Sequence, residues 1–127
     1  MSTRRALVEK IHSVTVPFQE LVKKRIRREP EFAMALLEEA LERLVANDVV
    51  IAQLLLRDVV NGTIGFQALA SATGLMEKSL MRMLSAKGNP QARNLFGIIH
   101  ELQRFNRVQL EVSAVTSKSL ARAKALS

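Results

Sequence analysis

Between Pro30 and Ala46 the chain reads PEFAMALLEEALERLVA, and its apolar residues return every three or four positions. Phe32, Leu36, Ala40 and Leu44 form one row, with Ala33, Leu37 and Leu41 beside it. Glu38, Glu39, Glu42 and Arg43 fall on the opposite face, so the segment is an amphipathic helix. Pro30 suits its first turn, where a missing N–H costs nothing. A stripe of this kind must be buried against other apolar faces. Those faces have to be aliphatic, because the chain has no Trp or Tyr and its five Phe are scattered singly. Such a composition favours packed helices over a sandwich of strands.

The 127 residues allow one domain, and 48% apolar content allows it a core. With no Cys there is no disulfide, no thiol nucleophile and no Cys-based zinc site. His12 and His100 lie far apart and lack companions at metal-binding spacing, so neither a metal nor any other cofactor is expected. No Gly-rich phosphate loop or nucleophile–base pair points to catalysis, and the chain is not expected to be an enzyme. No apolar run nears the roughly 18 residues that span a bilayer. Glu9, Lys10 and His12 interrupt any secretory apolar region. The expected location is cytoplasmic, away from membranes.

The net charge is +7, which calls for an anionic partner. Its distribution is uneven: residues 1–28 carry eight Lys/Arg and two Glu, 29–65 carry two Arg and seven acids, and 66–127 carry nine Lys/Arg and three Glu. Two basic blocks therefore flank an acidic one. Either the solvated face is merely lopsided, or the basic blocks meet phosphates while the acidic middle faces something else.

Along the chain, Pro17 opens a helix through VKKRIRR that stops before Pro30. Asn47 caps a helix from Asp48 toward Val60 that buries Ala52, Leu55, Leu56 and Val59 and ends at Asn61-Gly62. Helices near Phe66–Ala72 and Met76–Ser85 follow. In Lys87-Gly88-Asn89-Pro90, Gly88 is read as a left-handed helix end, Asn89 as an N-cap and Pro90 as the first residue of a helix carrying Leu95, Ile98, Ile99 and Leu102. Val108, Leu110 and Val112 then alternate with Gln109 and Glu111, which predicts a short C-terminal β-strand with an edge that a second copy can pair. The organisation is a basic arm or helix over 1–28, a core domain over 29–112, and a basic tail over 113–127.

The segment FQALASATGLMEKSLMRMLS has helix-turn-helix arithmetic around Gly74. Ala70, four residues earlier, is small enough for a close crossing, Leu69 precedes it, and Leu75 plugs the turn. Leu80 and Met83 point back to the core, leaving Glu77, Lys78, Ser79, Met81 and Arg82 outward. A short glycine turn followed by a helix with a polar outer face is the unit that enters the major groove.

With these pieces in place, the stretch from Phe32 through Val112 resembles the λ-repressor-like helix-turn-helix proteins known as probable addiction-module antidotes, which accompany toxins of the RelE/ParE type. The resemblance lies in ALLEEALERL, LLRDVVNGTIGFQALASATGL, KSLMRMLSAKGNPQARNLFGII and ELQRF–VQLEV. It implies an all-α, λ-repressor-like helical bundle that acts as a homodimer on a palindromic operator in double-stranded DNA. Such a protein represses its own operon and neutralises an adjacent toxin. Glu77, Lys78 and Arg82 then lie where base edges are read, with Met81 against a thymine methyl. Gln67, Ser79, Lys87, Asn89 and Arg93 become phosphate contacts. Met76 departs from the family, whose members commonly start this helix with Ser, Thr or Pro.

Plainer readings stand beside these. Glu77 and Lys78 suit any solvated first turn, Asn89 suits a simple cap, and VKKRIRR is either a further phosphate contact or a solvated helix end. The acidic helix packs on its own domain, on its twin, or on a basic toxin. The alternative function is a protein-interaction module, for dimerisation or toxin neutralisation, whose helix-turn-helix no longer reads DNA.

Overall fold

Six α-helices form the regular structure of the computed structural model, which describes residues 16–118. They are α1 (Val16–Arg28), α2 (Pro30–Val45), α3 (Val49–Gly62), α4 (Phe66–Thr73), α5 (Glu77–Met83) and α6 (Ala92–Asn106). The basic opening before Val16, with His12, and the tail beyond Lys118 lie outside the described residues. The expected all-α class is observed.

The helix boundaries follow local chemistry. Pro30 sits in the first turn of α2, and the Glu29 N–H closes α1 by donating to the Arg25 carbonyl at 2.8 Å. Central to the packing is α3, whose Ala52, Leu55, Leu56, Val59 and Val60 are wholly buried. Along it lies α2, contributing Phe32, Ala33, Leu36, Leu37 and Ala40, while α1 packs on both and adds Val22 and Ile26 to the same core. On its other side α3 meets α4 and α6, and Leu69, Leu80, Leu84, Ile98 and Leu102 complete the interior. Each such aliphatic side chain contributes about 1.5–3 kcal/mol by leaving water. Gly62 permits the approach of α1 to α3, since a Cβ there would lie 2.6 Å from Ile26 Cγ2.

Four local expectations are corrected. First, Glu39 and Arg43 are buried rather than on the solvated face. Arg43 Nε donates to Glu39 at 2.8 Å and Nη1 to Asp48 at 2.8 Å, joining the end of α2 to the start of α3. Hydrogen bonding to Glu39 raises the guanidinium pKa, burial works against it, and the bond to Asp48 adds to the rise. Second, Asn47 does not cap α3. It turns the chain at φ 63°, and Asp48, which precedes the helix, makes no cap bond; its carboxylate is taken by Arg43.

Third, Gly88 is not left-handed; among the described glycines only Gly65 and Gly74 have positive φ. Glycine is required at 88 because a Cβ would collide with the Arg82 carbonyl oxygen and approach that of Met83 to 2.8 Å. Asn89 and Pro90 accordingly remain in the loop, and Gln91 precedes α6. Fourth, the C-terminal β-strand is absent: residues 108–112 form no strand. The alternation holds in part: Val108 and Leu110 pack on the core while Gln109 and Glu111 face out, but Val112 is exposed. Among the described residues, however, no neighbouring strand supplies partners. Instead the Val108 N–H donates to the Gln103 carbonyl at 3.1 Å and the Leu110 N–H to Gln103 Oε1 at 2.8 Å.

Between α1 and α3, desolvation pushes the Asp58 carboxyl from 3.8 up to about 6, against the pull of Arg57. A folded-state pKa above the unfolded one means that folding takes up a proton, so stability increases as pH falls through 6 toward 4. This group should add about 1 kcal/mol to the unfolding free energy between pH 7 and pH 5. Urea unfolding of wild type and Asp58→Asn at both pH values checks it: the variant should lack this increment, and parallel pH dependences would contradict it.

Candidate functional site

Two short helices, α4 and α5, meet across the three residues Gly74, Leu75 and Met76. Gly74 makes the reversal at φ 76°, a conformation glycine adopts without strain, and its N–H donates to the Ala70 carbonyl at 2.9 Å. Thr73 Oγ1 donates to the Leu69 carbonyl at 2.8 Å and accepts the Leu75 N–H at 3.3 Å, which stitches the turn to the end of α4. Met76 precedes α5 in an extended conformation without a side-chain cap.

Helical spacing divides α5 into faces. Leu80 is wholly buried, and Leu84 just after the helix is too. Glu77 and Met81 form one exposed row, and Lys78 and Arg82 form the adjacent one. Ser79 is half-buried. Gln67 is exposed on the first turn of α4 and lines a shallow depression with Glu77, Met81, Ser71 and Asn61. Three of the expected site residues, Gln67, Glu77 and Met81, are thus brought together. Lys78 and Arg82 stand beside them on the neighbouring row.

The remaining phosphate candidates lie elsewhere. Lys87 and Asn89 are exposed in the loop between α5 and α6. Arg93, in the first turn of α6, lines a different depression with Thr73, Leu75 and His100. His100 is exposed on its helix.

A residue that sequence reasoning passed over holds this site in place. Gln53 of α3 is buried, and its Nε2 lies 2.7 Å from the Met83 carbonyl, 3.0 Å from that of Ser85 and 3.1 Å from that of Gly88. An amide has only two N–H groups, so the three acceptors share them. Carbonyls released at the end of α5 are thereby satisfied, and the loop is drawn onto α3. The only sequence signal is an amide within the apolar run VVIAQLLL. Its partners lie 30 to 35 residues away, beyond the reach of any local pattern.

Among the described residues no single helix is long and apolar enough to cross a membrane. Nor do three His, Asp or Glu side chains gather there into a group able to hold a metal ion. Comparison with known proteins finds no matching family model, no matching curated protein and no matching solved structure.

Replacing Gln53 by Leu should strand buried carbonyls and destabilise the fold by about 1–3 kcal/mol. Hydrogen exchange should show the loosening concentrated in residues 80–88, beyond the global loss. Uniform acceleration across all helices would contradict the role given to Gln53.

Proposed function

We propose that this chain is a sequence-specific DNA-binding transcriptional regulator of the λ-repressor-like helix-turn-helix kind. It acts as a homodimer on a palindromic operator whose half-sites lie about one helical turn (~34 Å) apart. The observation that carries this reading is the α4–α5 pair. A glycine-enforced turn joins the helices, the second is anchored by Leu80 and Gln53, and its outward rows are exposed and, Met81 apart, charged.

In the major groove, Lys78 and Arg82 donate to guanine O6 and N7, Glu77 accepts from cytosine N4, and Met81 meets a thymine methyl. Gln67 and Ser79 contact phosphates beside the groove, and Lys87, Asn89 and Arg93 contact phosphates farther along the backbone. The net charge of +7 supports an anionic partner in the same direction. Within this proposal the protein represses its own operon as the antitoxin of a RelE/ParE-type toxin. The acidic surface of α2, including exposed Glu38 and Glu42, is the part with charge complementary to a basic toxin.

The test is fluorescence anisotropy on duplex DNA from upstream of the gene and on a scrambled duplex, near 150 mM salt. A specific regulator should prefer its own duplex by roughly 10³-fold or more. Arg82→Ala should cost about 1–3 kcal/mol and relax discrimination at one base position. Equal binding to both duplexes, with no effect of Arg82→Ala, would contradict base reading and leave a protein-interaction module.

A further inference from the structure

The α4–α5 face continues beyond α4. Asn61, in the last turn of α3, lines the depression that holds Gln67, Glu77 and Met81, and also a second depression walled by Gln19, Lys23 and Arg57. One polar strip therefore runs from α5 across the start of α4 and the end of α3 to α1.

The position of α1 sets which of its cations join this strip. Ile26 lies against Gly62, whereas Lys23 lies beside Arg57 and Asn61, so the C-terminal turns of α1 and α3 lie together. Arg27 follows Lys23 by four residues and occupies the same side of the helix, one turn nearer that end. Arg25 points to the other side, where it pairs with Glu29 at 3.3 Å and stacks 4.2 Å above the Phe32 ring. Lys23, Arg27 and Arg57 make no ion pair with another described residue. The acids on the strip are Glu77 on α5, Glu20, exposed at its edge, and the buried Asp58.

We infer that Lys23, Arg27 and Arg57 form a second, sequence-independent contact with duplex DNA, gripping phosphates that flank the half-site read by α5. This rests on the DNA-binding reading of α4 and α5. It resolves the basic run of α1 into two sides: one engaged with α2 through Arg25, and one aligned with the nucleic acid.

The experiment uses the full chain carrying Lys23→Ala, Arg27→Ala and Arg57→Ala together. A charge-matched control carries Arg28→Ala, Arg104→Ala and Lys118→Ala, all exposed positions off the strip. Thermal unfolding establishes that both remain folded. Anisotropy on the native and scrambled duplexes from 50 to 200 mM salt then gives the slope of log affinity against log salt. Loss of three phosphate contacts should flatten that slope by about 2–3 relative to the control. Affinity should fall about tenfold or more, equally on both duplexes.

A triple variant indistinguishable from the control overturns the inference, while Arg82→Ala independently decides the reading of α5. Loss confined to the native duplex also overturns it, because phosphate contacts carry no sequence information. A wild-type protein that binds neither duplex overturns both readings together.

Discussion

The arrangement of this molecule turns on the Gln53 side-chain amide. Its Nε2 satisfies the carbonyls of Met83, Ser85 and Gly88, all within 3.1 Å, from the middle of the most buried helix. A seven-residue helix such as α5 has almost no stability of its own, because the cost of nucleation is spread over too few bonds. It persists because Leu80 and Leu84 hold its inner face and Gln53 holds its end. The requirement for glycine at 88, where a side chain would strike the Arg82 carbonyl, follows from the same tight return of the loop. The direction in which Lys78 and Arg82 project is therefore set by α3, not by α5.

A second polar contact does comparable work at the start of α3. Buried Arg43 joins Glu39 of α2 to Asp48 at the start of α3, across the left-handed turn at Asn47. Buried ion pairs add little net stability over apolar replacements, because desolvation offsets the attraction. Their geometric demands are nevertheless strict, and this one fixes how α2 turns into α3. The first half of α3 is thus tied by polar contacts to α2 on one side and to the loop after α5 on the other, and aliphatic packing fills the rest of the core.

What was legible in the sequence was what repeats at short range. The row Phe32, Leu36 and Ala40 and the set Ala52, Leu55, Leu56 and Val59 are buried as their spacing requires. Gly74 adopts positive φ, with Leu69 and Leu80 buried on either side of it. The α4–α5 pair, and the exposure of Glu77, Lys78, Met81 and Arg82, was accordingly readable. Features that depend on distant partners were not. A glycine needed for close approach, as at 88, looks identical in sequence to one needed for positive φ. Glu39 and Arg43 stand in the same charged stretch as Glu38 and Glu42, and their burial, with Arg43 bonded to both Glu39 and Asp48, depends on how α2 turns into α3. Val108 and Leu110 alternate like a strand, but among the described residues no strand lies beside them, and Gln103 takes their backbone donors instead.

In the proposed function α5, presented by α3, is the surface that reads DNA. The most direct test is a ¹H–¹⁵N NMR titration of the full chain with the duplex from upstream of its gene. Amide shifts should concentrate in α4 and α5, at Gln67, Ser71, Glu77, Lys78, Met81 and Arg82, with a weaker set along Lys23, Arg27 and Arg57. Shifts centred on α2 and residues 108–111, or no shifts at saturating duplex, would contradict it.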